Sequence, residues 1–254
     1  MSLIYCYGVV EEAVEIEKKG FESGNIYFTP FKDINAVVSD VSEENFSQQT
    51  IDKNIKNMKW VAENGQIHEK VTDSVMEKTT IIPMKFCTIF KTQENVKSMM
   101  EEKYADFKFN LKNLKGRAEL GVKVYFDSAP LKQKILEESP DIKELEKEAE
   151  KKKPGAAYFE KQKIDMLLKD KLHQRLANNR REIFDKIKAF AEDSKQNELL
   201  NKKLTGKDML LNAVFLIKRQ DLEQFKSNAE KIKSDFPNME FEVWGPFPPY
   251  NFVK

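Results

Sequence analysis

The stretch Arg117-Ala118-Glu119-Leu120-Gly121-Val122-Lys123-Val124-Tyr125-Phe126 alternates from end to end. Ala118, Leu120, Val122, Val124 and Phe126 fall on one face, and Arg117, Glu119, Lys123 and Tyr125 on the other. Apolar residues at every second position mark a half-buried strand. Downstream, Pro130 and Pro140 punctuate two helical stretches, the second of which (141–153) is nearly all charge apart from Ile142, Leu145 and Ala149. From Gly155 to about Asp193, Ile164, Leu168, Leu172, Leu176, Ile183, Ile187 and Phe190 form one narrow stripe, which predicts a helix roughly 55 Å long. A stripe this narrow suits a helix packed on one or two neighbours, as in a hairpin or coiled coil. Residues 197–207 have room for a short strand, and Met209–Ile217 reads as a central strand. Leu222, Phe225, Ala229, Ile232 and Phe236 give an amphipathic helix over 219–235 that Pro237 stops. Met239, Phe241 and Val243 close with a half-exposed strand. The order strand, helices, strand, strand, helix, strand is that of a ferredoxin-like βαββαβ unit whose first crossover is enlarged.

Upstream, residues 3–10 are apolar, lack a basic leader and run straight into Glu11-Glu12. That reverses the order of a signal peptide and predicts a first strand. Ile26–Phe28 and Ile34–Ser39 add strand signals. Ile51, Ile55, Met58 and Ala62 then space one helix face, which breaks at Gly65 and resumes with Ile67, Val71 and Val75. Residues 79–90 return to strand character, with Pro83 confined to an edge or bulge. Thr92 caps a helix that ends near Gly116. The fold class is therefore α+β with two domains. The first covers 1–115; the second covers 116–254 and carries a helical arm (about 130–193) and a tail (245–254).

Composition excludes several functions. Of 254 residues 33% are charged, but 43 Lys/Arg face 42 Asp/Glu, so the net charge is +1. A dedicated nucleic-acid binder carries a basic surplus. No segment reaches the ~18 apolar residues of a membrane span. Balanced charge marks much solvated helix surface, yet between 163 and 188 eight Lys/Arg meet only four Asp/Glu. No interleaved aromatics offer RNA bases a stacking surface there. Cys6 and Cys87 lie far apart and read as reduced, buried thiols of a cytosolic protein. His68 and His173 have no His, Cys or paired carboxylate at ligand spacing, so no metal site is expected. No nucleophile motif and no phosphate-cradling glycine loop occurs, so neither catalytic residues nor a cofactor are expected. An enzyme on a ferredoxin-like scaffold, using His68 with nearby carboxylates, is the rival reading.

The tail, Trp244-Gly245-Pro246-Phe247-Pro248-Pro249-Tyr250-Asn251-Phe252-Val253, combines three prolines with four aromatics. Such a segment cannot extend a sheet as an ordinary strand and must lay its rings on a surface, its own body or a partner's. Gly245–Phe252 resembles the GPWPPYxF ending of the gas vesicle protein family GvpL/GvpF. Tyr5-Cys6-Tyr7-Gly8-Val9-Val10 is similar to the family's opening strand, and Ile82-Pro83-Met84-Lys85-Phe86-Cys87-Thr88 to its LPMRFGT segment. Gly116–Val124 is similar to its GxxExxVK strand, Gly155–Tyr158 to the start of its long helix, and Leu211-Asn212-Ala213 to its LNxA strand. The resemblance implies a non-catalytic accessory protein of gas vesicle assembly, located at the gas vesicle and in the cytoplasm. Its implied partners are the hydrophobic shell protein GvpA and other accessory Gvp proteins, with no nucleic acid and no membrane. Lys85, Phe86, Arg117, Phe247, Tyr250 and Phe252, all in family motifs, are the candidate partner-binding residues. Cys87 stands where the family has Gly, which implies a position that does not need φ > 0.

Overall fold

The computed structural model describes residues 2–254. Its contacts divide the chain into two compact units, 1–119 with 246–254, and 120–245. Sequence alone assigns the tail to the second domain; its contacts assign residues 246–254 to the first unit. Among the described residues no helix is long and apolar enough to cross a membrane.

The first unit contains β1 (Ser2–Val10), β2 (Tyr27–Phe31), β3 (Ile34–Ser42), α1 (Glu43–Phe46), α2 (Gln48–Asn54), α3 (Met58–Lys78), β4 (Ile81–Pro83), β5 (Ile89–Phe90), α4 (Gln93–Glu102) and α5 (Tyr104–Leu114). Its sheet runs β2-β3-β1-β4, with β5 also on β1, all antiparallel. Opposite β1, β4 pairs with Gly8–Val10 and β5 with Ile4–Tyr5, so they are two pieces of one edge broken by the loop 84–88. Pro83 is the last residue before the break, as a residue without an N–H should be. Gly8 sits at a register shift of β1, where a Cβ would meet Ile81 at 2.6 Å and the Ile82 carbonyl at 2.7 Å. The helix break predicted at Gly65 lies instead at 55–57. There Asn57 caps α3, its side chain accepting from the Lys59 and Trp60 N–H groups. Gly65 stays inside α3 facing open space, where a helical glycine is tolerated at about 1 kcal/mol. Thr92 caps α4 as expected.

Strand β6 (Arg117–Phe126) leads into the second unit, which holds α6 (Ser128–Glu138), α7 (Pro140–Glu150), α8 (Pro154–Lys188), β7 (Asp193–Gln196), α9 (Lys202–Thr205), β8 (Asp208–Lys218), α10 (Leu222–Ser234) and β9 (Met239–Phe247). The sheet order is β7-β8-β6-β9. Leu120, Val122 and Val124 of β6 pack with Leu211, Ala213 and Phe215 of β8 under Ile183 and Ile187 of α8 and Phe225 of α10. A second apolar cluster joins α6, α7 and α8 through Leu131, Ile135, Ile142, Ile164 and Leu172. The basic surplus of α8 is partly met by its neighbours: Lys171 pairs with Asp141 at 2.9 Å and Arg175 with Glu138 at 2.8 Å.

Two local predictions are corrected here. The long helix stops at Lys188 rather than 193, and the short strand is 193–196 rather than within 197–207. Pairing of Asp193–Gln196 with Ala213–Leu216 overrides the continuing helical pattern, and Phe190, the last stripe residue, is exposed. The strand β9 also runs on through Gly245 and Pro246 to Phe247. It lies at the sheet's edge, where a missing N–H removes nothing from the ladder.

Candidate functional site

The first unit gathers the opening strand, the 84–88 loop, the start of β6 and the tail around His68 of α3. Tyr5 and Tyr7 share one face of β1 and are fully buried. The Tyr5 hydroxyl lies 2.9 Å from His68 Nδ1 and accepts the Cys87 N–H at 2.9 Å. His68 Nε2 lies 3.1 Å from the Tyr250 hydroxyl, which is 3.3 Å from Thr72 Oγ1. Thr72 in turn donates to the Glu69 carbonyl at 3.0 Å. We assign the direction that gives each proton an acceptor: Tyr5 donates to Nδ1, the Nε2–H donates to Tyr250, and Tyr250 donates to Thr72. Phe86 packs edge-on against His68, with ring centroids 6.0 Å apart, and tilts against Trp60 at 5.9 Å.

Burial sets the protonation states of this cluster. His68 is 4% exposed, and burial pushes its pKa down to about 4 against a backbone hydrogen bond with Met84. Burial raises the Tyr5 and Tyr250 phenols, Tyr250 to about 12. The Cys6 and Cys87 thiols rise to about 12 and about 11 for the same reason, so neither is an activated nucleophile. One turn beyond His68, Asp73 is pushed up to about 6 by burial and by Glu69 and Glu77.

The rest of the tail is fastened by polar contacts. The Asn251 backbone N–H donates to Glu119 at 2.8 Å and its side-chain amide at 2.6 Å. Asn110 of α5 and Lys254 exchange bonds, side-chain amide to carbonyl at 2.7 Å and backbone N–H to side-chain oxygen at 2.8 Å. Phe252 is buried.

Of the candidate residues, Phe86 and Tyr250 meet through His68, and Phe252 anchors the tail. Lys85 is exposed, Phe247 is half-buried at the end of β9, and Arg117 is half-buried and donates to the Lys115 carbonyl at 3.2 Å. The candidate set left out Tyr5, Glu119 and Asn251, which stand within the quoted motifs, and His68, Thr72 and Asn110, which lie outside them; their partners lie up to 182 residues away. The expectation about Cys87 is overturned: its φ is 64°, in the left-handed region. The Tyr5 hydroxyl on its N–H holds a conformation that a β-carbon disfavours by about 1–2 kcal/mol.

Nothing here supports an enzyme built on His68, since its two nitrogens face the Tyr5 and Tyr250 phenols. His173 is exposed on α8. Among the described residues no three His, Cys, Asp or Glu side chains form a metal-ligating group. A cleft of about 650 Å³ in the second unit contains Lys202 and Lys207, but these are tied to Asp208 and Glu240.

Comparison with known proteins is consistent along the chain. Gas vesicle protein L of Streptomyces sp. (strain CB03234) is 24% identical over 223 residues, 87% of this chain and 80% of the relative. The crystal structure of gas vesicle protein GvpF from Anabaena sp. PCC7120 superposes with a TM-score of 0.79 at 22% identity, covering 100% of this chain and 99% of that one. GvpF from Microcystis aeruginosa gives a TM-score of 0.72 at 20% identity, covering 99% of both chains. These likenesses establish a shared fold of mixed helix and antiparallel sheet. The model of the gas vesicle synthesis protein GvpL/GvpF family matches residues 3–254, and the chain belongs to that family.

Proposed function

We propose that this protein is a non-catalytic accessory factor of gas vesicle assembly that binds the hydrophobic shell protein GvpA or other accessory Gvp proteins, aiding nucleation or preventing aggregation. The observation that carries the reading is the family match over residues 3–254. The site agrees with it: the family motifs of the first unit are spent on seating the tail, and the histidine among them is locked between two phenols. The strand order β7-β8-β6-β9 supports a ferredoxin-like βαββαβ for the second unit, with α6, α7 and the first part of α8 as the inserted helical arm. A domain boundary near 116 fits this reading, with residues 246–254 returning to the first unit. Co-expression of the tagged chain with GvpA should yield a co-purifying complex, and deleting its gene from a vesicle-forming host should abolish or malform the vesicles. No complex together with normal vesicles would overturn the reading.

A further inference from the structure

Four polar side chains of the first unit that bond to the tail, His68, Thr72, Asn110 and Glu119, are buried, none of them more than 4% exposed. Three are aimed by bonds inside that unit. Tyr5 holds His68 Nδ1, Thr72 donates to the Glu69 carbonyl, and the Asn110 amide donates to the Asp106 carbonyl at 2.8 Å. They form a socket already shaped for its occupant. The tail fills it with the Tyr250 hydroxyl, both donors of Asn251, the N–H and carbonyl of Lys254, and the buried Pro248, Pro249 and Phe252. It keeps its own turn: the Tyr250 N–H donates to the Pro248 carbonyl at 2.8 Å and the Phe252 N–H to the Pro249 carbonyl at 3.1 Å. Its prolines narrow the alternatives. The ligand chemistry of this socket is thus written in the structure, as a Pro-Pro-Tyr-Asn-Phe turn.

An empty socket is costly, because Glu119 would keep a buried carboxylate without the two Asn251 donors. Nothing in the contacts requires the occupant to come from the same chain. The named bonds all join residues 250–254 to residues 68–119, and the chain between them runs through the second unit, 120–245. It crosses back at Gly245, whose φ is 106°, followed at once by Pro246. That conformation is open to glycine and strained for other residues, so rotation at one residue redirects the tail while the two hydrophobic cores stay as they are. A socket that demands filling, a preshaped segment that fills it and a glycine hinge between them are what two copies need to exchange an identical element.

We propose that the socket also takes residues 246–254 of a second copy, so that two chains pair by exchanging tails. The proposal does not rest on the assembly reading. A chain's own tail competes at high effective concentration, so the test weakens it. A fluorescein-labelled peptide of residues 246–254 is titrated into the full chain and followed by anisotropy. It should bind the Asn251→Ala/Phe252→Ala variant at least tenfold more tightly than the wild type, and adding Asn110→Ala should abolish that gain. The pairing itself is read with two full-length variants, Glu119→Arg and Asn251→Asp, each of which spoils the fit of its own tail. Mixed, the tail with Asn251→Asp meets the socket with Glu119→Arg, and the unaltered tail meets the unaltered socket. Size exclusion with light scattering should give twice the single-chain mass for the mixture and the single-chain mass for either variant alone. A mixture of folded variants that stays at the single-chain mass overturns the proposal, as does a pair that forms equally well from one variant alone. If Glu119→Arg does not fold, the peptide decides: failure to bind the weakened-tail variant, or binding that ignores Asn110→Ala, overturns the proposal. Each of these failures leaves the assembly reading standing, since capture of GvpA is measured separately.

Discussion

The Tyr250 hydroxyl lies 3.1 Å from Nε2 of His68, a residue 182 positions earlier in the chain. This one contact ties the tail to the face of α3 that also supports Tyr5 and, through it, the strained loop at Cys87. Tyr250→Phe keeps the ring and deletes the bridge to His68 and Thr72. Leaving a buried imidazole nitrogen without its partner should cost about 1–2 kcal/mol. Urea unfolding checks this, with Trp244→Phe, an exposed change in β9, as the control that should stay within about 0.5 kcal/mol.

The same histidine makes stability depend on acid. An unfolded histidine titrates near 6.5, whereas buried His68 titrates at about 4. Below pH 6.5 the unfolded chain takes up a proton that the fold refuses. The contribution of neutral His68 is therefore complete above 6.5 and is lost as pH falls toward 4, by about 3 kcal/mol in total. Asp73 runs the other way: raised to about 6, it is protonated sooner in the fold, and its burden on stability eases as pH drops through 6. The stability difference between wild type and His68→Gln, followed by urea midpoints from pH 7.5 to 4.5, should shrink steadily. A constant difference would refute the assignment. Asp73→Asn should raise stability at pH 7.

The sheets were legible because β6 and β9 alternate and β8 is almost continuously apolar, patterns that follow from burial on two faces or one. β7 was not, since Asp193-Ser194-Lys195-Gln196 has no apolar signal and is a strand only because β8 offers an edge. Phe86 and Tyr250 could be picked out as motif residues. Their meeting point could not, because His68 lies outside every motif and its bonds span 63 and 182 residues. Cys87 misled for a different reason: a cysteine ordinarily signals that φ stays negative, and only the Tyr5 hydroxyl across the sheet explains the exception.

That exception yields a stability prediction. Cys87→Gly removes the β-carbon from a φ of 64° and should stabilise the protein, by up to about 1 kcal/mol once the added freedom of the unfolded chain is subtracted. Cys87→Val, branched at the β-carbon, should destabilise by more than that. Thermal melts of the pair against wild type decide it; a valine variant as stable as the glycine one would show that the loop is not strained.

Asn251 is the tail's second fastening. Asn251→Ala removes the side-chain bond to the Glu119 carboxylate and keeps the backbone N–H one, and a charge-assisted bond of this kind contributes about 1.5–3 kcal/mol. Amide hydrogen exchange should show residues 250–254 losing protection while β8 keeps its own. Equal protection in wild type and variant would mean that Phe252 and Asn110 suffice to hold the tail.

The division of the chain has a consequence for synthesis. Residues 246–254 belong with the first unit, yet they are synthesised only after the second. At about 5–20 residues per second, the whole of 120–245 must be translated first, which takes on the order of ten seconds. Throughout that interval His68, Thr72 and Asn110 are without their tail partners, and the nascent N-terminal half waits with its docking groove open. Only a chain that carries residues 246–254 can shut it, so the first unit is completed by a segment made after the second.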